Sequence, residues 1–553
     1  MKKLKKVFNN KSYLISLVLI VLIGCALVYH FFQFNNDLKF SLYDIGTKEE
    51  RVEPQNQNIS YEESAPITTS TEEKSKNISS KKVFFNGIVR DVMLTSYWEK
   101  PKQDRIPSFV GKVENKTILL SWNVPVENAK LTITDNNDNI TKNVAGAGNY
   151  IFTEGIHGKI YMFRLEYTDP NGQKVWKNIR RVFVDFDKVS DVAILNIKTE
   201  DGKDPSFEFA KKPEGHLFGA AIKNNEYKKA TLDENTPIQI KVRGNASAYG
   251  DKKSYKIVFE EKKDVLGLGE EYADKEWVLL GRSNLKTYLG LELGKALGME
   301  WEPRMRFVNV MLNDDWKGLY VLCESVKKHP KRVNIEEDGF LIESDGYWWK
   351  QQGGFFGSHL LSQKVKFTFK YPKVISNSDS AFLETESLVK EIDDSIQNNF
   401  YNIDKIIDFD TFASWLLAHE IMGTFDSYGS NMFFYKYSSD ASSKIKMGPL
   451  WDFDSIFDTK YNEHSGFWTQ KTTFLPLLLQ MPDFRKYYKE KYFSIAPDVE
   501  NKVLAILENL KRIPGVKESY KLRTYVSLDQ EIEGVKEMLH DRIEWLNQEM
   551  EKL

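Results

Sequence analysis

The sequence lacks the residues that would stabilise a small disulfide-linked module or coat a nucleic acid. Only two of its 553 residues are cysteines, Cys25 and Cys323, so no disulfide framework is available. Its 77 basic and 79 acidic residues leave a formal net charge of −2, which excludes a generally basic nucleic-acid-binding protein. With 41% hydrophobic and 28% charged residues, most of the chain is predicted to be globular. Its length predicts roughly two or three folded units.

One long apolar run near the N-terminus stands out from a mean hydropathy of −0.46. It covers 20 residues, Tyr13 to Phe32, without Asp, Glu, Lys or Arg, and five lysines precede it. As a helix it would be about 30 Å long, enough to span a bilayer. The lysines predict a cytoplasmic tail at residues 1–12, a single-pass signal anchor at 13–33 and an extracellular bulk, which places the protein in the cell membrane. The alternative is a cleaved signal peptide, but the run is long for one and ends in large residues.

Two further segments separate this run from the rest of the chain. Residues 34–82 are rich in Ser, Thr, Asn, Glu and Lys and are predicted to form a flexible, solvated stalk. Residues 83–187 show short alternating runs divided by turn signals such as Asp169-Pro170-Asn171-Gly172. This pattern predicts a small all-β sandwich that resembles a fibronectin type III or immunoglobulin-like module. It contains no acid–base constellation, which favours a spacer or adhesion role.

The remaining residues, 190–553, begin strand-rich and become helix-rich after about residue 380. Alternation predicts strands at Ile238 to Arg243 and Ser254 to Phe259, and a four-residue apolar step predicts a helix from Leu285 to Leu297. Near the C-terminus, one apolar helical face is expected. Its residues are Ile532, Val535, Leu539, Ile543 and Leu546. An α+β, two-lobed enzyme is the expected fold.

The segment from Asp426 to Asp454 carries the most specific chemical signal. Residues 432–437 and 444–451 read as two strands joined by a polar turn. In such a hairpin, the residue before the first strand lies beside the residue after the second, which here are Asn431 and Asp452. Asp426 lies on the loop that enters the hairpin. Three oxygen-bearing side chains are therefore expected to converge.

Oxygen ligands of this kind suit Mg²⁺, which takes one or two carboxylates together with substrate phosphates. The order also matches protein-kinase centres, where Asp-x-x-x-x-Asn, a hairpin and Asp-Phe-Gly follow one another. Here Asp426 and Asn431 have that spacing, and Asp452-Phe453-Asp454 stands in the last position, with Asp454 as a further metal candidate. The His-Arg that precedes the kinase Asp is absent. The alternative is that each motif is structural and that Trp-Asp-Phe-Asp merely caps a strand.

A second candidate site lies between the strands near residues 243 and 254. The small-residue loop Arg243-Gly244-Asn245-Ala246-Ser247 would let backbone N–H groups approach phosphates. A lysine on the next strand, Lys253 or Lys256, could hold them. Alternation does not decide between the two lysines because they fall on opposite faces. An ordinary hairpin with solvated lysines is the alternative.

Several segments in fixed order resemble the spore coat protein H (CotH) kinase family from about Asp191 to the C-terminus. They are RGNASAYGDKKSYKIVF, EWVLLGRSNLKTYLGLELGKALGME, PRMRFVNVMLNDDWKGLYVLCESV, FDSYGSNMFFYKY and GPLWDFD. The resemblance implies an atypical secreted or surface kinase with a minimal two-lobed fold. Such an enzyme uses ATP and Mg²⁺, or Mn²⁺, to phosphorylate Ser or Thr of a protein substrate, and no nucleic acid is implied as a partner.

The motif match also implies roles for individual residues. Asp426 would be catalytic, Asn431, Asp452 and Asp454 would bind metal, and Glu324 would form an ion pair with the phosphate-site lysine. The nucleotide-binding candidates as a group are Arg243, Asn245, Ser247, Lys253, Lys256 and Glu324. The sequence departs from the family pattern at Ala246, where Ser is usual, and at Asn284, where Asp is common.

Two alternative functions remain open on the sequence. The first is a non-enzymatic cell-envelope adhesion or scaffolding protein, which would be a pseudokinase. The second is a metal-dependent hydrolase that uses the same carboxylates. A zinc enzyme is disfavoured because His419 and His464, the histidines near the motif, lack metal-ligand spacing.

Overall fold

A computed structural model describes the chain in several stretches. They are residues 106–135, 139–211, 220–245, 248, 252–282, 284–350, 354–358, 365–374, 376–398, 401–424, 431–457, 466–467, 475–524 and 527–553, together with two short strands, β1 (Phe84–Phe85) and β2 (Ile88–Val89). All of them fall in one compact unit, Ile78–Lys211 and Ala220–Leu553. The predicted tail, signal anchor (13–33) and stalk lie outside the described residues. Within the described stretches, no helix has the length and hydrophobicity needed to cross a membrane.

The first folded part is an all-β module. Its strands are β3 (Val110–Glu114), β4 (Thr117–Thr134), β5 (Asn139–Phe152), β6 (Ile160–Thr168) and β7 (Lys174–Val182). They form one sheet in the order β3-β4-β6-β7, with β5 paired along β4. Alternate residues of β4 are buried in a shared apolar core, as expected for strands with one covered face. The two-sheet sandwich predicted from the sequence is not confirmed, because the strands hydrogen-bond as one continuous sheet.

A closed barrel of seven strands follows. The strands from residue 194 to 324 are β8 (Ile194–Thr199), β9 (Glu208–Lys211), β10 (Ala220–Lys223), β11 (Lys228–Leu232), β12 (Thr236–Arg243), β13 (Ser254–Lys263), β14 (Asp274–Leu280), β15 (Met305–Leu312) and β16 (Asp315–Glu324). All of these except β9 and β10, which pair with each other, form the barrel in the order β11-β12-β13-β14-β16-β15-β8. The parallel pair of β15 and β8 belongs to this closed sheet. Its interior is filled by apolar side chains such as Val242, Tyr255 and Trp277. The strands predicted for β12 and β13 are confirmed.

The C-terminal lobe combines a second sheet with most of the helices. Its strands are β17 (Phe340–Asp345), β18 (Phe355–Phe356), β19 (Lys366–Tyr371), β20 (Met432–Lys436) and β21 (Ile445–Met447), in the order β18-β19-β17-β20-β21. Its helices are α2 (Ser380–Gln397), α3 (Ile403–Ile406), α4 (Phe409–Ile421), α5 (Leu475–Gln480), α6 (Pro482–Arg512), α7 (Val516–Thr524) and α8 (Leu528–Lys552), while α1 (Asn284–Ala296) comes from the barrel segment. The α+β class is confirmed.

Helix α1 joins the barrel to the C-terminal lobe. It packs against β16 on one side and against α4 and α6 on the other. Its buried leucines, Leu285, Leu289 and Leu293, are those of the predicted four-residue step, and the chain leaves the helix through Gly298 at φ 83°. The predicted apolar face of α8 is also buried. Both helix predictions are therefore confirmed.

The β module is docked on the barrel rather than tethered to it. Lys112 Nζ donates to the carbonyl of Asn313 at 2.8 Å, and the backbone N–H of Val113 donates to Asp315 Oδ1 at 2.8 Å. Valines of the module share an apolar cluster with Trp316 of β16 and Leu522 of α7. The expected role as a simple spacer does not fit this packing, because the apolar cluster joins three parts of the unit.

Candidate nucleotide and metal site

The predicted hairpin is present and brings its two ends together. Strands β20 and β21 pair antiparallel, with Phe434 opposite Met447. Extending this register by three residues sets Asn431 opposite Leu450, two residues before Asp452. The structure therefore places both predicted metal ligands at the same end of the hairpin. Asp426, the predicted catalytic residue, lies outside the described residues.

The backbone takes the left-handed conformation at both of these ligands. Asn431 has φ 61° and Asp452 has φ 60°. This region is uncommon for residues other than glycine, although Asn and Asp enter it more readily than others. Such conformations cost on the order of 1 kcal/mol each and occur preferentially at functional sites. Their coincidence at both candidate ligands supports a site at this end of the hairpin.

Packing fixes the turn that carries the two aspartates. Phe453–Ser455 is a short 3₁₀ helix, and Lys286 Nζ from α1 donates to the carbonyl of Asp454 at 3.0 Å. A Cβ atom at Gly290 of α1 would lie 2.4 Å from Phe453 Cγ, so α1 approaches this ring as closely as glycine allows. The Phe453 ring also packs on His419 of α4, with centroids 4.8 Å apart. The turn is therefore held between α1 and α4.

The charges around the turn favour a bound cation. Burial raises the pKa of Asp452 to about 7, with a further rise from the charge of Asp454, while Arg243 and Arg282 oppose the shift. Asp452 is nevertheless exposed as a residue, so a cation from solvent can approach it. Two neighbouring carboxylates repel each other, and a divalent cation would relieve that repulsion.

The donor set fits the metal predicted from the sequence. Two carboxylates and an amide oxygen, from Asp452, Asp454 and Asn431, are the hard oxygen ligands that Mg²⁺ prefers. Among the described residues, no three His, Cys, Asp or Glu side chains come together as a metal cluster. The third carboxylate expected there is Asp426, which is not among those residues.

The predicted phosphate loop lies beside this turn. The Arg243 guanidinium stands 5.5 Å from the ring centroid of Trp451, the residue before Asp452. Arg243 ends β12, and Gly244 then turns the chain with φ 92°. The barrel therefore places the guanidinium group of Arg243 near the carboxylates of the hairpin. Ser247 lies outside the described residues.

The two candidate lysines have different surroundings. Lys253 Nζ donates to the carbonyl of Ala248 in the loop at 2.5 Å, so it helps to hold the loop backbone. Lys256 Nζ pairs with Glu276 Oε1 at 2.8 Å on the neighbouring strand β14. Lys253 is thus in contact with the loop, whereas Lys256 forms an ion pair with a glutamate of the barrel.

The ion pair predicted between Glu324 and a lysine is wrong. The Glu324 carboxylate is fully buried and accepts from Arg304 at 2.8 Å (Nε) and 2.6 Å (Nη2), and Arg332 lies 3.4 Å away. A buried carboxylate needs such partners because desolvation of an unpaired charge is costly. Lys256, the alternative partner, is already paired on β14. Glu324 therefore belongs to a structural network of the barrel.

Two cations near the site were missed by the sequence interpretation. The burial of Arg282 lowers its pKa, and the charges of Asp454 and Asp452 oppose that shift, so it faces the same turn. Lys350 Nζ donates to Asn245 Oδ1 of the phosphate loop at 3.1 Å. Arg282 lies in the same family motif as Asn284, so the sequence could have indicated it as a candidate site residue. No spacing rule connects Lys350 with residue 245, because the contact depends on how two sheets meet.

Carboxylates at the end of a hairpin thus lie close to arginines from the barrel. A family model described as CotH kinase protein matches residues 240–546. Since this is more than half of the chain, the protein belongs to the CotH kinase family.

Comparison with known proteins adds two further findings. The crystal structure of a Helicobacter pylori proinflammatory kinase, CtkA, is similar at 11% identity and a TM-score of 0.27, covering 54% of this chain and 94% of that chain. A likeness at that score does not bear on the fold or function of this chain. No curated protein matches the chain.

Proposed function

We propose that this protein is an ATP- and Mg²⁺-dependent atypical protein kinase that phosphorylates Ser or Thr of cell-surface or secreted proteins. The observation that carries the proposal is the proximity of Arg243 to the Asp452 turn, where a guanidinium suited to phosphate would lie beside carboxylates suited to a cation. Membership of the CotH kinase family supports the same reaction class. Mn²⁺ could replace Mg²⁺, since both accept oxygen ligands.

Each group at the site has a role in this reaction. Asn431, Asp452 and Asp454 would hold the cation, which neutralises charge on the transferring phosphoryl group when bound. The guanidinium of Arg243 presents a planar fork of donors that suits phosphate oxygens, and its stacking on Trp451 restricts its orientation. Asp426 would orient and deprotonate the substrate hydroxyl. Because α1 and α4 fix the turn, the carboxylates need little reorganisation.

A transfer assay tests this function. The purified chain, with ATP labelled in the γ-phosphate and Mg²⁺ or Mn²⁺, is expected to label itself or a Ser/Thr-rich protein. Asp452→Asn is expected to abolish labelling, because it removes a ligand charge while Asn still tolerates the left-handed backbone. Asp498→Asn, at an exposed site on α6, is the matched control. Equal labelling by wild type and Asp452→Asn would overturn the assignment.

We further propose that residues 13–33 anchor the protein in the lipid bilayer, with residues 1–12 in the cytoplasm and the kinase outside the cell. The 20-residue apolar run and the five preceding lysines support this placement. External protease should digest the kinase domain of intact cells. The mass of the membrane fragment that remains after digestion would then show whether residues 13–33 stay attached to the chain as an anchor or are removed as a signal peptide. Protection of the domain in intact cells and digestion only after lysis would contradict the orientation.

A non-enzymatic adhesion or scaffolding role is the second candidate function. The docked β module favours it, since phosphoryl transfer does not require an extra sheet on the barrel. Calorimetric titration with ATP in the presence of Mg²⁺ separates the two functions. Failure of the wild-type chain to bind ATP would favour scaffolding.

A further inference from the structure

One lysine of the C-terminal lobe reaches the phosphate loop of the barrel. Lys350 ends the short 3₁₀ helix Trp348–Lys350, which follows β17. Its Nζ donates to Asn245 Oδ1 at 3.1 Å, although the two residues are 105 positions apart in the chain. The contact crosses from the second sheet to the loop after β12. Lys350 is thus placed at the loop by the packing of two lobes.

The turn that carries Lys350 is fixed by the sheet behind it. Asp345, the last residue of β17, accepts a hydrogen bond from the backbone N–H of Tyr347 at 2.7 Å. Strand β17 pairs with β20, with Ser344 opposite Met432, so Asp345 lies one step further, beside the position of Asn431. The same strand therefore sets the position of the lysine relative to the predicted metal ligand.

Lys350 is an exposed residue that lies near a second lysine, Lys241, and near the carboxylate of Asp345. Burial lowers the pKa of Lys350 and the positive charge of Lys241 lowers it further, whereas Asp345 raises it. The pKa of Lys241 is likewise lowered by burial and by the charge of Lys256, while Glu276 raises it. Cations that are partly desolvated and close to one another gain from an anion placed between them. Phosphate groups supply such an anion.

We propose that Lys350 binds the polyphosphate of the nucleoside triphosphate from the C-terminal lobe, opposite the loop that carries Arg243. The inference rests on the proposed kinase function and assigns to it a further binding residue. A lysine ammonium has three N–H donors, and Asn245 takes one of them, so the same group can hold the loop and donate to a phosphate oxygen. The nucleotide is then held from both lobes.

The test is a calorimetric titration of the full chain with ATP and Mg²⁺ and, separately, with inorganic tripolyphosphate. Lys350→Met is expected to weaken both affinities roughly tenfold to hundredfold, as for loss of a charge-assisted hydrogen bond. Lys350→Arg should keep the affinity close to that of wild type. Lys502→Met, at an exposed site on α6, is the matched control and should bind as wild type does.

Asn245→Ala separates direct binding from a tether that only holds the loop. If Lys350 binds phosphate, Lys350→Met must weaken binding further in the Asn245→Ala background. If the double variant binds no more weakly than Asn245→Ala, Lys350 is a tether and the proposal is wrong. Equal binding by wild type and Lys350→Met overturns this inference alone. Failure of the wild type to bind either ligand overturns the kinase function with it.

Discussion

The stabilising contribution of one buried, neutral histidine of the C-terminal lobe is expected to be lost on acidification from pH 7 to pH 5. His419 is only 3% exposed and lies in the part of helix α4 that is buried, Thr411 to Ile421. Its ring lies between Trp415, with centroids 4.0 Å apart, and Phe453 at 4.8 Å, and its Nδ1 hydrogen-bonds to the Thr424 hydroxyl. Burial lowers the pKa of His419 from 6.5 to about 3. The folded protein therefore keeps this imidazole neutral.

The sign of the effect follows from proton uptake. Between the folded pKa of about 3 and the unfolded value of 6.5, the unfolded chain binds one more proton than the folded chain. The stabilising contribution of neutral His419 is therefore fully present above the unfolded pKa and is lost progressively as the pH falls below it. At pH 5, which lies 1.5 units below the unfolded pKa, the loss relative to pH 7 is about 2 kcal/mol, at about 1.4 kcal/mol per unit.

Urea denaturation at the two pH values, followed by tryptophan fluorescence, measures this loss. His419→Asn is expected to reduce the difference in unfolding free energy between pH 7 and pH 5 by about 2 kcal/mol, since Asn does not titrate. His540→Asn, at an exposed site on α8, is expected to enlarge the difference instead, because Glu500 raises the pKa of His540 and its protonation therefore stabilises the fold at pH 5. The reasoning is refuted if wild type and His419→Asn lose the same free energy between the two pH values.

Two further substitutions test the packing of the unit. Gly290→Ala is expected to destabilise the protein by about 1–3 kcal/mol through overpacking against Phe453, and to slow phosphotransfer by displacing the turn. Thermal melting measures the stability and the transfer assay measures the rate. An unchanged transfer rate would show that the turn tolerates the shift. Asp315→Ala removes the acceptor of a backbone N–H at the junction between module and barrel, so cleavage between residues 183 and 193 should become faster in limited proteolysis. Asp314→Asn, at the exposed neighbouring position, is its control, because Asn still tolerates the left-handed backbone found there, and equal cleavage of the two variants would contradict the docked arrangement.

Local patterns were enough to predict the elements that carry the site. Alternation identified β12 and the four-residue step identified α1, because each pattern records which face of its own element is buried. The hairpin of β20 and β21 was identified by two runs joined by a polar turn, and β20 is buried on both faces. The hairpin also predicted that Asn431 and Asp452 lie at the same end of the two strands, because antiparallel strands joined in sequence bring those ends together. These inferences needed no knowledge of distant contacts.

Non-local pairing could not be predicted in the same way. The sequence indicated strands between residues 83 and 187 but not that they form one continuous sheet, because periodicity does not identify the partner of a strand. Glu324 was paired with the wrong cation for the same reason, since its partner Arg304 is positioned by the β15–β16 pair. The contact of Lys350 with Asn245 depends on the meeting of two separate sheets.

Strand β16 gives the docked module a physical connection to the phosphate loop. At its start, Asp315 accepts the N–H of Val113 from the module. Five residues further along, the Tyr320 hydroxyl donates to the carbonyl of Lys253, whose own ammonium holds the carbonyl of Ala248. A strand hydrogen-bonded on both sides within a closed barrel is stiff, so the module and the loop are attached to one rigid element. The packed unit that carries the predicted phosphate loop therefore includes the β module.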